Sequence, residues 1–323
     1  MTGAPRTGSP DLMIEAIGLG KRFGEVAALT DVDVAVPRGT VLGLLGHNGA
    51  GKTTLVNIVG TLARPSSGTV RVAGYDVVRQ ASQVRSRIGL TGQFAALDER
   101  ITGRDNLVLV GRLLGASRRD ARRRADELLE LFGLTAVAHR LAKTYSGGMR
   151  RRLDLAIGLV GHPEVIILDE PTTGMDPTSR LDLWQTVREM VRQGSTALLT
   201  TQHLEEADRL ADSITLLSGG RVVLSGTPTE LKARVGRRAV TVRLARDEVS
   251  SAVPALRRAG LQPVRSDSRD TELTIAVGQS REITSVVRAL DEVGIEAAEL
   301  GITEPGLDEV YLFVMDNAVA DAR

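Results

Sequence analysis

The sequence predicts an α/β protein with a parallel-sheet core, followed by a small α+β domain of ferredoxin-like pattern. Three observations carry that prediction. The short continuous apolar runs VLGLLG (41–46), VIILD (165–169) and ALLTT (197–201) read as central strands buried on both faces. A polar, helix-patterned stretch from about 94 to 160 separates the first run from the other two. Beyond residue 239, strand and helix signals follow one another in βαββαβ order, the split βαβ pattern.

Taken in order, residues 1–11 (MTGAPRTGSPD) are small, polar and rich in Pro and Gly, which predicts a disordered leader without the apolar h-region of a signal peptide. Val32, Val34 and Val36 alternate with Asp31, Asp33 and Ala35, as in a half-exposed antiparallel strand. Within the helical region stand Arg118, Arg119, Arg122, Arg123 and Arg124; such a run is ordinarily a solvated helix face. A helix is expected around 181–192. SITLLSGGRVVLSG then reads as a hairpin turning at Ser218-Gly219-Gly220. These elements place the first domain at 12–230 and a basic, helix-like connector at 231–238. The second domain, at 239–323, reads as strands at 240–244, 263–266, 272–277 and 297–301, with helices at 249–258, 282–293 and 307–315.

Composition narrows the function classes. A length of 323 residues suits two domains, and 42% hydrophobic with 25% charged residues is ordinary for a globular chain. The net charge of +1 supplies no global field for nucleic acid or anionic lipid. With no cysteine in the chain, disulfides, thiol catalysis and thiolate zinc sites are excluded. No stretch approaches the ~18 apolar residues of a spanning helix. Any membrane role is therefore expected from the cytoplasmic side, as a peripheral subunit working through a partner.

The chemistry begins at Gly46-His47-Asn48-Gly49-Ala50-Gly51-Lys52-Thr53, followed by Thr54. This is the G-x-x-x-x-G-K-[ST] phosphate loop, placed after a predicted strand as the motif requires. Its glycines let backbone N–H groups wrap phosphate oxygens, and the helix that follows adds its positive end. Lys52 supplies a point charge to the β- and γ-phosphates, and the Thr53 hydroxyl suits Mg²⁺. Further on, Ser146-Gly147-Gly148 opens an amphipathic helix and aims a hydroxyl and free N–H groups at an anion. The strand 165–168 then delivers Asp169, suited to hold Mg²⁺ through water, and Glu170, suited to orient and deprotonate an attacking water. Two surface carboxylates would be the plain alternative. Their place between SGGM and PTTGMDP argues against it.

With these motifs the chain resembles the nucleotide-binding subunits of ABC transporters over roughly residues 12–230. The resemblance implies a P-loop NTPase of ABC type, with a RecA-like parallel-sheet core, an antiparallel β subdomain and a helical subdomain at about 94–160. It implies ATP and Mg²⁺ as ligands. It also assigns residues: Phe23 in KRFG stacks on adenine, and Gln93 contacts Mg²⁺ and couples to the membrane partner. Asp176 in GMDP communicates across a dimer, and His203 in TTQHLEEAD contacts the γ-phosphate. Tyr145 and Met149 stand where the family most often has Leu and Gln, but Ser146 and Gly148, which touch phosphate, are kept. A finer resemblance, to daunorubicin/doxorubicin-resistance ATPases, rests on TGQFAALDERITGRDNL, YSGGMRRRLDLA and EPGLDEVYLFVMD. It implies drug or other hydrophobic small-molecule export, an integral membrane permease as partner, and an ATP-sandwich homodimer. The alternative is a soluble ABC ATPase acting on ribosomes or DNA. A single motif set without a heptad insertion between Lys52 and Ser146 weighs against it, and no nucleic-acid partner is expected.

Overall fold

The computed structural model describes residues 11–91, 97–235, 239–266, 269–277, 280–303, 306–311 and 314. The chain opens with two long strands, β1 (Leu12–Phe23) and β2 (Val26–Pro37), then β3 (Val41–Leu45) and helix α1 (Lys52–Val59). Next come β4 (Ser67–Val72), β5 (Tyr75–Asp76), α2 (Ala81–Arg85) and β6 (Ile88–Thr91). The helical region holds α3 (Gly103–Leu113), α4 (Arg118–Leu131) and α5 (Gly147–Gly158). After it run β7 (Val165–Asp169), α6 (Pro177–Arg192), β8 (Thr196–Thr201), α7 (Leu204–Leu210), β9 (Ser213–Ser218), β10 (Arg221–Gly226) and α8 (Pro228–Val235).

Two sheets organise these elements. The central one has the order β10-β9-β3-β8-β7-β6; its neighbours run parallel from β9 to β6, and β10 pairs antiparallel at the edge. Helices on both faces explain why β3, β7 and β8 are buried at every position. Alternate side chains feed two cores. Leu42, Leu44, Ile167 and Leu198 pack with α1 and the second sheet, whereas Ile166, Leu168, Ala197 and Leu199 pack with the helical region. Each fully buried Leu or Ile contributes about 1.5–3 kcal/mol relative to exposure. The second sheet is antiparallel, of order β2-β1-β4-β5.

Elements between 61 and 91 go beyond the sequence reading. In β4 four of six residues are exposed and only Val70 and Val72 point inward, so its alternation is too short to register. β6 is a four-residue edge strand containing Gly89. The arginine run also departs from expectation at one position. Arg124 turns inward, and its Nη2 donates to Leu159 O at 2.9 Å.

The chain divides into two compact units, Met1–Pro228 and Thr229–Arg323. In the second, α8 precedes β11 (Ala239–Arg243), α9 (Val249–Arg258), β12 (Pro263–Ser266), β13 (Arg269–Ala276), α10 (Ser280–Asp291) and β14 (Glu299–Thr303). The sheet order β12-β13-β11-β14 with antiparallel neighbours is that of the split βαβ fold. Its own core joins Val240, Val242, Leu273 and Ile275 to Leu256 and Leu290 of the two helices. The last strand lies two residues beyond its expected position. Residues 307–311 and 314 are helical.

Candidate active site

The loop after β3 is shaped by close approach. A side chain at Gly46 would place its Cβ 2.6 Å from Leu217 O and 2.9 Å from Ala50 Cβ. Gly51, at φ 108°, is the N-cap of α1, and a Cβ there would lie 2.7 Å from Leu29 Cδ2. Only glycine combines that φ with that space. His47, Asn48 and Gly49 are exposed and Ala50 is buried; the His47 ring contacts Asn48 O through Nδ1 at 2.7 Å. Thr53 is exposed and Thr54 half-buried on the first turn of α1. The Lys52 side chain is 5% exposed. Its ammonium donates to Gly46 O at 2.7 Å and His47 O at 3.3 Å, and stands 3.8 Å from Glu170 Oε1.

Glu170 enters from the C-terminal edge of β7. Asp169 just before it is buried, and its Oδ1 accepts the Thr200 hydroxyl at 2.5 Å. The Glu170 N–H is shared between Thr200 O and Thr200 Oγ1, each at 3.1 Å. Glu170 has φ 47°, a left-handed conformation that costs a non-glycine residue about 1–3 kcal/mol and persists only where the surroundings over-determine it.

Arg151 ties the backbone of that turn directly and Glu206 anchors Thr172 just beyond it; neither was singled out in the sequence. Arg151, on α5, donates through Nη2 to Asp169 O and Glu170 O, both at 3.1 Å, and through Nε to Pro171 O at 2.9 Å. Its Nη1 reaches Asp154 Oδ2 at 3.4 Å. On the other side, Glu206 of α7 is fully buried. It accepts from Thr172 Oγ1 and from Trp184 Nε1, each at 3.1 Å. Burial pushes its carboxyl above the usual carboxylate range, although bonds from Thr201, Trp184 and Thr172 and the charge of His203 oppose the shift. The unusual polarity of LEEAD after an apolar strand was the available sequence signal for Glu206; for Arg151 the arginine triplet hid which member turns inward.

Ser146, Gly148 and Asp176 form a second group. Ser146 is the exposed N-cap of α5, its Oγ accepting from Met149 N at 3.3 Å. A Cβ on Gly148 would lie 3.5 Å from Ser179 Oγ and 4.0 Å from Asp176 Oδ2, so the Ser-Gly-Gly turn stands beside Asp176. That aspartate caps α6, accepting from Ser179 Oγ at 2.6 Å and Ser179 N at 3.0 Å. Those bonds hold its carboxyl below the ordinary range. Among the described residues, no hydrogen bond or ion pair joins Ser146 or Gly148 to the phosphate loop. His203 is exposed at the start of α7, its N–H donating to Thr201 Oγ1 at 2.9 Å. Phe23 ends β1 at 55% exposure, with Lys21 Nζ 4.8 Å from its ring centroid, which leaves ring surface open to stacking. Gln93, assigned above to Mg²⁺ contact, lies outside the described residues, as does Phe94.

A phosphate loop beside two strand-end carboxylates is common to many NTPases, and wider likeness decides among them. Residues 29–173 match the ABC transporter family model. The chain is 50% identical over 315 residues to the daunorubicin resistance ATP-binding protein DrrA3 of Streptomyces coeruleorubidus, covering 97% of this chain and 99% of that one. The chain belongs to the ABC transporter ATP-binding family. The doxorubicin resistance ATP-binding protein DrrA of Mycobacterium tuberculosis is 45% identical, with 94% of this chain and 93% of that protein covered. Among solved structures, the dimeric post-hydrolysis ATP-binding cassette MJ0796 bound to ADP and Pi matches 67% of this chain and 98% of its own, at 25% identity and TM-score 0.61. As an ABC ATPase subunit the chain hydrolyses ATP. Among the described residues no helix is long and apolar enough to cross a membrane.

Proposed function

We propose that two copies of this chain sandwich ATP head to tail and power a separate integral membrane permease that expels a hydrophobic drug. The carrying observation is the 3.8 Å approach of Lys52 to Glu170, which puts the phosphate-binding charge and the base at one point. Lys52 and the loop N–H groups bind the β- and γ-phosphates, Phe23 stacks on adenine, and Glu170 takes the proton of the attacking water. His203 donates to the γ-phosphate. Mg²⁺ fits the donors present, because the Thr53 hydroxyl and the Asp169 carboxylate are hard oxygen ligands; bound there, it neutralises developing charge on the phosphates. Gln93 is its proposed third contact.

The placement of Ser146, Gly148 and Asp176 supports dimerisation. The Ser146 hydroxyl and the N–H groups that follow it form a donor surface beside the Asp176 carboxylate, with no hydrogen bond to the phosphate loop of their own chain among the described residues, and a second copy supplies the phosphate. The names of the drug-resistance relatives support the cargo class, and the permease supplies the path that a chain with no spanning helix among its described residues needs. Such a subunit works at the cytoplasmic face of the membrane. The relatives named above carry drug-resistance names, which favours export over action on ribosomes or DNA.

Substitution tests the assignment. Glu170→Gln keeps shape but removes the base, so turnover falls ~10²–10⁴-fold while Mg-ATP still binds and drives dimer formation in sedimentation. Lys52→Ala removes charge from ground and transition states alike and weakens ATP binding itself, by about 10–100-fold for a lost charge-assisted contact. Near-normal turnover in Glu170→Gln would remove Glu170 from its role.

A further inference from the structure

Helix α5 does two jobs at opposite ends of one short span. Its N-cap, Ser146, belongs to the exposed donor surface. Arg151, further along the same helix, grips the backbone of the turn that carries Glu170, through the carbonyls of Asp169, Glu170 and Pro171. In a head-to-tail dimer these two ends serve different nucleotides: Ser146 meets the ATP held by the partner's phosphate loop, and Glu170 activates the water that attacks the ATP held by its own.

We infer that Arg151 is the positioning strut between the two sites, setting Glu170 of its own chain according to whether Ser146 has engaged the opposite ATP. The inference rests on the composite site proposed above. The physical basis is rigidity. A guanidinium is a planar fork with fixed donor directions, and here its side chain is 18% exposed and braced by Asp154. Three carbonyl bonds move the turn as a body when α5 moves. Glu170 at φ 47° has no relaxed conformation to hold it, so its side-chain position depends on such ties. A lysine at this position offers a point charge that can meet one or two of the carbonyls, without the fork.

The test uses the full chain as Arg151→Ala and Arg151→Lys, each also in a Glu170→Gln background. We expect Arg151→Ala to lower kcat by about 10–100-fold, the scale of a misplaced catalytic group. ATP affinity and ATP-driven dimerisation in the Glu170→Gln background stay near those of Glu170→Gln alone. The Hill coefficient for ATP in hydrolysis falls toward one, and Arg151→Lys lies between. Should Arg151→Ala fail to fold, Arg151→Lys carries the same comparison. Equal Hill coefficients and equal kcat with and without Arg151 overturn the strut while the composite site stands. A parallel loss of dimerisation and kcat overturns it in favour of a structural role. If Glu170→Gln alone does not dimerise with Mg-ATP, the composite site falls, and the strut with it.

Discussion

A carboxylate with no exposed surface must be matched by donors or give up its charge. Glu206 is in that position: it is fully buried, faces Thr172, Trp184 and Thr201, and has its carboxyl raised by burial. Because the folded state holds this proton more tightly than the unfolded chain, the stabilisation is complete below the ordinary glutamate range. It is lost as pH rises through the folded value. Glu206→Gln removes that titration. The hydroxyl of Thr172 can accept from the new amide, whereas the Trp184 N–H still finds an oxygen. The difference in melting temperature between variant and wild type should therefore shift in favour of the variant as pH rises from about 5 to about 8. A constant difference across that range would mean that Glu206 does not titrate there. The phosphate loop and the carboxylates were readable because they are contiguous in the chain. Arg151 and Glu206 were not, because their partners are backbone carbonyls and side chains that only folding brings near.

Among the elements, legibility followed burial on both faces. β3, β7 and β8 announce themselves as unbroken apolar runs because every side chain finds a core; β4 shows only two inward residues, and β6 is a four-residue strand at the sheet edge. Tyr145, which stands where the broad ABC resemblance implies Leu, acquires a reason at this scale. It is buried, its hydroxyl donates to Val137 O at 2.8 Å, and burial raises its pKa. The start of α3 makes room for it: a Cβ on Gly103 would fall 2.1 Å from the Tyr145 hydroxyl and 2.9 Å from Cζ. Gly103→Ala is thus expected to destabilise the chain by about 1–3 kcal/mol through overpacking. Adding Tyr145→Leu should return much of that loss, since the shorter side chain clears the new methyl. Tyr145→Leu alone should cost stability through the cavity and the lost hydrogen bond. Thermal denaturation of the double-mutant cycle measures the coupling, and strictly additive effects would show that the two residues do not share this space.

For the molecule as a whole, the question is what the second unit adds. Its core is built from its own strands and helices, with Val240, Val242, Leu273, Ile275, Leu256 and Leu290 in one cluster. The first unit likewise closes its cores from residues up to Val222. Units with separate cores fold and bind as separate domains. The unit carries none of the nucleotide motifs, so its proposed role is assembly or regulation, acting on dimer stability or permease pairing. A chain ending at Arg238 should bind Mg-ATP within about threefold of the full chain, because no proposed nucleotide-binding residue is removed and the first unit keeps its own cores. ATP-driven dimerisation in the Glu170→Gln background, or export by the subunit–permease pair, should be impaired. Calorimetry on the truncated chain measures the first, and sedimentation and efflux from a drug-sensitive host measure the second. Loss of ATP binding would place part of the nucleotide domain beyond residue 238. Unimpaired dimerisation and efflux would leave the tail without the assembly role, even though the ATPase assignment, which rests on residues before it, would be untouched.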